Sequence, residues 1–165
     1  TQGVSSAASD VYKRQVQHWV TNYRPSQVMK DLLAVAGDKD YFILTSNADT
    51  HLELSGFAPG KVFEVEGTFE DMLHNRPMQD KSQEANAFLN RYHGKRLAIL
   101  ELGIGSRNRL IKLPLMQLAA REPQAVYITL NLAQELYIPN EIAHKSIGLA
   151  GDIAVTLQKL KEKLV

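Results

Sequence analysis

An amide and a carboxylate, Asn47 and Asp49, stand two residues apart in a short polar cluster that runs from Ser46 to Asp49. The cluster ends an apolar run, YFILTS, and precedes THLELSGF, a stretch typical of a short helix. Polar side chains at this place can bind a ligand through hydrogen bonds. They can also simply cap the helix, because Ser, Asn and Asp are favoured capping residues. Both interpretations stay open for this cluster taken by itself.

Two further polar clusters follow later apolar runs. A glycine-rich turn, Gly103 to Ser106, comes after RLAILEL, and Asn131 lies at the end of AVYITLNL. The turn lacks the full G-x-G-x-x-G spacing, so it does not identify a dinucleotide site alone. In open α/β sheets, however, ligands bind outside the carboxyl ends of the strands, and we expect all three clusters to face one cleft there. Three clusters at one edge favour a binding site over three unrelated caps.

These clusters are positioned by predicted strands that alternate with predicted helices. Strands are predicted for YFILTS, KVFEVEG, RLAILELGIGS, AVYITLNL and KSIGLAG, and the first of them suits a strand buried on both faces. Helices are predicted for QVMKDLLAVAG, with Gly37 as its C-cap, and for THLELSGF, RLIKLPLMQLAAR and DIAVTLQKLKEKLV. The polar segment from Thr68 to Gly94 is left open, with weak helical character in SQEANAFLNRYH.

The alternation predicts an α/β fold with a Rossmann-like, mostly parallel sheet flanked by helices. The first part of the chain, Thr1 to Gln15, is small and polar without a hydrophobic period, and we expect a non-native or disordered leader there. One domain then spans residues 16–165, a length that allows a single core of ordinary size.

Composition narrows the class of protein. The chain has 19 basic and 18 acidic residues, a net charge of +1, which predicts no electrostatic surface for nucleic acid. It has no cysteine, so disulfides and thiolate zinc sites are excluded for this sequence. No apolar run approaches the roughly 20 residues that cross a bilayer. We therefore expect a cytoplasmic protein without membrane or nucleic-acid partners.

The segment TSNADTHLELSGFAPGKVFEVEG resembles the core of the sirtuins, in which a T-Q-N-x-D motif is followed by a helix ending in A-G and a strand ending in H-G. LELGIGSRNRLIKLP, ITLNL and KSIGLAGDIAVTL are similar to later sirtuin segments that line the adenosine half of the NAD pocket. Order and spacing match from about Val28 to the C-terminus. The likeness is closest to the microbial class M sirtuins, which carry Gln-Gly in place of His-Gly and are associated with protein ADP-ribosylation.

The resemblance implies a role for each matching residue. Asn47 and Asp49 would hold the nicotinamide ribose and carboxamide, and Ser46 stands where most sirtuins have Gln. The adenosine half would be contacted by the glycine turn, an asparagine and a pair beside the adenine ring, namely Gly103, Gly105, Ser106, Asn131, Asp152 and Ile153. Glycines of this kind let backbone N–H groups approach a pyrophosphate closely.

Three departures from the sirtuin pattern change these expectations. Glu66 replaces the catalytic His, so the implied catalytic set is Asn47, Asp49 and Glu66. The zinc cysteines are absent and the segment Thr68 to Asn90, where that module would lie, is short, so we expect a small metal-free module. Nothing before Val16 resembles the G-A-G-x-S phosphate loop, which predicts a truncated domain with weak NAD binding.

The resemblance implies a function with NAD as the cofactor. The leading hypothesis is transfer of ADP-ribose from NAD to a protein acceptor, with release of nicotinamide. The rivals are an NAD-dependent protein deacylase and a catalytically inactive domain that binds NAD or ADP-ribose. A deacylase should carry a His at position 66 and an acyl-lysine channel, while an inactive domain need not keep Asn47 and Asp49.

Overall fold

The computed structural model describes Val11 and residues 14–18 and 20–164. Most of the predicted leader, residues 1–10, 12 and 13, therefore lies outside the described residues. Val11, residues 14–18 and residues 20 and 21 are helical. The chain forms two compact units that divide between residues 85 and 86, and we describe each by itself.

The helix α1 of the first unit, Gln27–Ala36, ends at the predicted C-cap, Gly37, and also has a capping serine at its start. The hydroxyl of Ser26 accepts a hydrogen bond from the N–H of Met29 at 3.4 Å. Gly37 closes the helix with φ 53°, a conformation that suits glycine. The remaining elements of the unit are β1, Ile43–Thr45, α2, His51–Leu54, a 3-10 helix at Pro59–Lys61, β2, Val62–Glu64, and α3, Phe69–Leu73.

The two strands of the first unit form a parallel pair, with Ile43 opposite Val62. All three residues of β1 are half-buried, whereas those of β2 are buried. The expectation that the first strand is buried on both faces is therefore wrong. The apolar composition of YFILTS predicts burial, but β1 is short and has one hydrogen-bonded neighbour among the described strands.

The second unit is built on a three-stranded parallel sheet in the order β3-β4-β5. Its elements are β3, Leu97–Leu102, α5, Lys112–Arg121, β4, Ala125–Asn131, 3-10 helices at Ala133–Glu135 and Asn140–Lys145, β5, Ser146–Ala150, and α6, Ile153–Leu164. A further helix, α4, Ser82–Tyr92, spans the division between the units. Pro114 lies at the third residue of α5, where its missing N–H removes no helical hydrogen bond.

The predicted fold class is confirmed. Every strand pairing in the described part of the chain is parallel, and helices flank the strands. The core of the second unit lies between its sheet and α5, where Ile99, Tyr127 and Ile142 pack with Met116 and Ala119. The sheet therefore holds the strand ends that carry several of the predicted site residues.

A fully buried ion pair connects α5 to this sheet. The Nζ of Lys112 lies 2.6 Å from Oε1 of Glu101, and both side chains have an exposed fraction of 0%. Glu101 also accepts hydrogen bonds from the hydroxyls of Tyr127 and Thr129, the latter at 2.9 Å. Burial, followed by the bond to Glu101, raises the pKa of the Tyr127 phenol, so it stays protonated as a donor. Both oxygens of Glu101 thus have partners inside the unit.

A second buried carboxylate, Glu122, follows α5. Its Oε2 accepts from the N–H of Gly94 at 3.0 Å, and its Oε1 lies 3.1 Å from Nδ1 of His93. The N–H of Gly94, followed by His93, lowers the pKa of Glu122 to about 2. The ionised carboxylate therefore ties the end of α5 to the turn that precedes β3.

Metal-binding groups and membrane-spanning helices were both absent from the described residues. No group of three or more potential ligands from His, Asp and Glu is placed to hold a metal ion there. None of the helices found in that part of the chain has the length and apolar character to span a membrane.

Candidate functional site

The polar cluster after β1 forms an exposed turn. The N–H of Asn47 donates to Oγ1 of Thr45 at 3.0 Å, and the carbonyl of Ala48 accepts from the N–H of Phe69 at 2.7 Å. The residues Ser46 and Asn47 are exposed to solvent. The backbone of the turn is thus held at both ends while the amide of Asn47 stays accessible.

Asp49 caps the short helix α2 in the structure. Its Oδ1 accepts from the N–H of His51 at 3.1 Å, and its Oδ2 lies 3.2 Å from the imidazole Nδ1 of the same residue. Thr50 between them is left-handed, with φ 55°, and makes no capping bond with its own side chain. The carboxylate therefore fixes His51. Each of its oxygens keeps a second lone pair for another donor.

His51 is a residue whose environment sequence reasoning missed. Its ring stacks on Tyr23 with centroids 3.7 Å apart, and the hydroxyl of Tyr23 lies 2.9 Å from Oγ of Ser55. Its Nε2 is buried and lacks a hydrogen-bond partner among the residues described. Its place two residues after Asp49 was the feature of the sequence that could have indicated this pair. The pair resembles other carboxylate–imidazole pairs, in which the acid sets ring orientation.

Glu66 lies in the turn that follows β2. It is exposed, and the next residue, Gly67, has φ 82°. A carboxylate in this position is free to approach a ligand from the solvent side. The buried acid near the end of β2 is Glu64, with an exposed fraction of 6%.

Glu64 forms a carboxyl pair with Glu53 of α2. Burial, followed by the hydrogen bond to Glu64, raises the pKa of Glu53 to about 7. Two buried oxygens, Oε2 of Glu53 and Oε1 of Glu64, have no donor in the described chain. They can satisfy each other only if one carboxyl is protonated. Lys81 is the nearest cation, with its Nζ 3.8 Å from Oε2 of Glu64.

A cavity of about 280 Å³ opens beside this carboxyl pair, entirely within the first unit. Its wall also includes the acid Asp71, which is paired with Arg76 at 2.8 Å. Thr50 and Gly67 belong to the lining as well, so the cavity lies next to both predicted catalytic segments of this unit along the chain. Sequence reasoning did not identify it, because its wall combines residues from several separate elements.

In the second unit, the predicted residues gather at the carboxyl edge of the sheet. Gly103 has φ 66°, and its N–H donates to the carbonyl of Leu130 at 2.9 Å. The amide of Asn131 donates to the carbonyl of Ile104 at 2.8 Å, and its oxygen accepts from the N–H of Leu132. Asn131 therefore positions the glycine turn against the end of β4.

Ser106 is held by a carboxylate that the sequence did not identify. Oε2 of Glu135 accepts from the N–H of Ser106 at 2.9 Å and from its hydroxyl at 3.1 Å. These bonds lower the pKa of Glu135, so it is ionised at neutral pH. A Cβ atom at Gly105 would lie 3.6 Å from the same oxygen. The donors of the turn thus already face an anion.

The last predicted pair lies at the start of α6. Oδ1 of the exposed Asp152 accepts from the N–H of Val155 at 3.1 Å, which caps the helix. A Cβ atom at Gly103 would lie 3.3 Å from Cδ1 of Ile153, and the N–H of Gly151 donates to the carbonyl of Asn131. The second unit therefore brings the glycine turn, Asn131 and Ile153 together. A cleft shared with Asn47 and Asp49 stays a prediction.

Comparison with known proteins gives one informative relative. No family model matches the chain. The chain is similar to a protein named protein ADP-ribosyltransferase from Staphylococcus aureus (strain Mu50 / ATCC 700699), with 29% identity over 87 residues. The match covers 52% of this chain and 27% of that relative.

Proposed function

We propose that this chain acts as a sirtuin-type protein ADP-ribosyltransferase, which transfers ADP-ribose from NAD to a protein acceptor and releases nicotinamide. The observation that carries the proposal is the similarity to the staphylococcal protein ADP-ribosyltransferase. The arrangement in the second unit supports it, because Gly103, Asn131 and Ile153 meet at the edge of a parallel sheet where ligands commonly bind.

The polar cluster after β1 and Glu66 would act on the nicotinamide half of NAD. The exposed amide of Asn47 can pair with the carboxamide, and the free lone pairs of Asp49 can accept from ribose hydroxyls. The bond between the anomeric carbon and the nicotinamide nitrogen breaks, and its electron pair leaves with neutral nicotinamide. Glu66 would stabilise the positive charge that develops on the ribose. A lone pair of the acceptor then forms the new bond, and the acceptor loses a proton to solvent.

The glycine turn after β3, with Asn131, would hold the adenosine half. The turn from Gly103 to Ser106 offers backbone donors, but Glu135 already occupies the N–H and hydroxyl of Ser106. A ribose hydroxyl can donate to this carboxylate, whereas a phosphate there would have to displace it, since two anions repel each other. This arrangement favours ribose rather than phosphate beside Ser106.

The test is a transfer assay with NAD labelled in its adenine ring. We expect nicotinamide release and labelling of an acceptor protein, and we expect Asn47→Ala to reduce both by about a hundredfold, the loss typical of one removed transition-state contact. Asn90→Ala is the matched control, because Asn90 is an exposed residue of α4 outside the proposed site.

Three results would redirect the proposal. Deacetylation of an acetyl-lysine peptide by the unchanged protein would establish the deacylase instead. Binding of NAD or ADP-ribose without nicotinamide release would favour the catalytically inactive domain. Equal activity of the Asn47→Ala and Asn90→Ala proteins would remove Asn47 from the reaction.

A further inference from the structure

The carboxylate of Asp49 is held by a residue that the proposed chemistry does not use, His51. The backbone N–H of His51 donates to Oδ1 at 3.1 Å, and the ring Nδ1 lies 3.2 Å from Oδ2. An aspartate carboxylate can otherwise turn about its terminal bond, because that torsion has only broad, roughly two-fold preferences. The two contacts therefore fix the plane of the carboxylate, while each oxygen keeps a second lone pair for another donor.

The ring of His51 is itself anchored. It stacks on Tyr23 with centroids 3.7 Å apart and planes 13° from parallel. The hydroxyl of Tyr23 lies 2.9 Å from Oγ of Ser55, and the Ser55 hydroxyl donates to the carbonyl of His51 at 2.6 Å. The contacts thus run from Tyr23 to the ring, and from the ring to Asp49. The ring is the anchored partner of the pair, so it can position the carboxylate.

The backbone between the two side chains is strained. Thr50 has φ 55° and ψ 15°, a left-handed conformation that a β-branched residue rarely adopts. Its hydroxyl donates to the carbonyl of Asp49 at 2.7 Å. The residue at a helix N-cap is ordinarily extended, so capping of α2 does not account for this conformation. Strain of this kind clusters at functional sites, where the surrounding contacts maintain it.

The surroundings of the ring determine its tautomer. Nδ1 faces a carboxylate oxygen, whereas Nε2 is buried and has no hydrogen-bond partner among the described residues. A neutral ring with its proton on Nε2 would leave that N–H without an acceptor and would set the Nδ1 lone pair against the carboxylate. The proton of the neutral ring therefore lies on Nδ1, which donates it to Asp49.

We infer that His51 is a positioning residue, whose Nδ1–H orients the Asp49 carboxylate toward the hydroxyls of the nicotinamide ribose. The inference rests on the proposed function, in which Asp49 accepts from those hydroxyls. Without the donor the carboxylate can turn away, and a hydrogen bond from a ribose hydroxyl to a charged oxygen is lost. The loss of one such bond lowers affinity by about tenfold or more.

Two substitutions separate the donor from the packing of the ring. His51→Asn keeps a donor, because its amide nitrogen is attached to Cγ as Nδ1 is, whereas His51→Leu keeps apolar bulk without a donor. Both variants lose the stacking on Tyr23. We expect nicotinamide release, and ADP-ribose binding followed by NMR, to fall about tenfold in His51→Leu and to stay within about threefold in His51→Asn.

A ring that acted only through packing would give a different order. Leucine would then be at least as good a replacement as asparagine, because a buried amide is costly. Equal losses in the two variants, or a larger loss in His51→Asn, would overturn the inference. His74→Leu is the matched control, since it removes an exposed imidazole at the end of α3 and should change neither measurement.

Two further measurements do not depend on how well the His51 variants fold. Nitrogen NMR of the unchanged protein at about pH 8, where an ordinary imidazole is neutral, should show a proton on Nδ1 of His51, and a bare Nδ1 would refute the inference. Tyr23→Phe keeps the stacked ring and should keep nicotinamide release within about threefold, whereas Tyr23→Leu should lower it several-fold. Equal release in the two Tyr23 variants would contradict the anchoring of the ring.

The outcomes separate this inference from the proposed function. Nicotinamide release that is equal in the Leu and Asn variants would leave the transferase and remove the role of His51. ADP-ribose binding that is weaker in His51→Leu than in His51→Asn, without nicotinamide release by the unchanged protein, would keep the positioning role and remove the transferase. A protein that neither binds ADP-ribose nor releases nicotinamide would overturn both.

Discussion

The buried pair of Glu101 and Lys112 allows a sharp test of what stabilises the second unit. Lys112→Met keeps the length of the side chain but leaves the carboxylate at Glu101 without its cation, inside a site with an exposed fraction of 0%. Breaking a buried pair on one side typically costs about 3–5 kcal/mol. The hydroxyls of Tyr127 and Thr129 still donate to the carboxylate, so we expect Lys112→Met to lower the free energy of unfolding by about 3 kcal/mol.

That cost is a large share of the free energy of unfolding. A unit that spans residues 86–165 should have roughly 4–12 kcal/mol in all, at about 0.05–0.15 kcal/mol per residue. With a urea dependence of about 1 kcal/mol per molar, the unfolding midpoint should fall by about 3 M. Circular dichroism in a urea series measures this shift.

Two comparison proteins decide whether the lone charge is the cause. Lys159→Met removes an exposed lysine of α6 and should shift the free energy of unfolding by less than about 0.5 kcal/mol. Glu101→Gln combined with Lys112→Met removes both charges and should be more stable than Lys112→Met alone, because no uncompensated charge stays buried. A loss under 1 kcal/mol in the single variant, or a double variant that is less stable still, would refute the reasoning.

Three further predictions concern single residues. The pKa of Glu122 is lowered to about 2, so the stabilisation that its ionised carboxylate gives is present above the ordinary carboxyl range and is lost as the pH falls from about 4.5 to 2. Glu122→Gln should flatten the pH dependence of the melting temperature over that window, and a profile parallel to that of the wild type would contradict this. Gly103 has φ 66°, and a Cβ there would crowd Ile153, so Gly103→Ala should lower the free energy of unfolding in urea by about 1–2 kcal/mol. Gly105→Ala in the same turn should change it by less than about 0.5 kcal/mol, and equal effects would show that backbone strain is not decisive. Glu66→Gln should lower nicotinamide release about a hundredfold and keep NAD affinity within several-fold, and unchanged release would remove Glu66 from the mechanism.

The elements with strong local signals were predictable from the sequence. Gly37 ends α1 as predicted, because its capping property acts within one turn of its own position. The five apolar runs became the five parallel strands for a related reason, since a short apolar run with a following helix suits a strand of an α/β sheet.

The segment between β2 and β3 was not predictable to the same degree. Its two helices, α3 and α4, are polar on most of their surface, and the one buried residue of α4 is Phe88. The hydroxyl of Thr68 caps α3 by accepting from the N–H of Asp71 at 3.0 Å. A threonine in a polar stretch is weak evidence for a cap, so the helix start became clear only from its geometry.

The contacts that define the cavity were also beyond sequence reasoning. Glu53 lies on a four-residue helix and Glu64 on a three-residue strand, and neither element is long enough for a periodic pattern to assign a direction to its side chains. Lys81, the residue before α4, approaches Glu64 of the pair. Proximity of this kind is a tertiary property, and the raised pKa of Glu53 follows from it.

The polar residues that follow the strands can cap a helix or contact a ligand, and the structure distinguishes between them residue by residue. Asp49 and Asp152 both cap a helix, so their presence alone does not argue for a ligand, although lone pairs stay available on each. Asn47 is different, because its backbone N–H makes the local bond to Thr45 while its side chain is exposed and forms no hydrogen bond found in the described chain. The fold does not require an amide at this position. Loss of activity in a stable Asn47→Ala protein would therefore point to ligand contact, whereas the same loss in a capping variant would also follow from a disturbed turn.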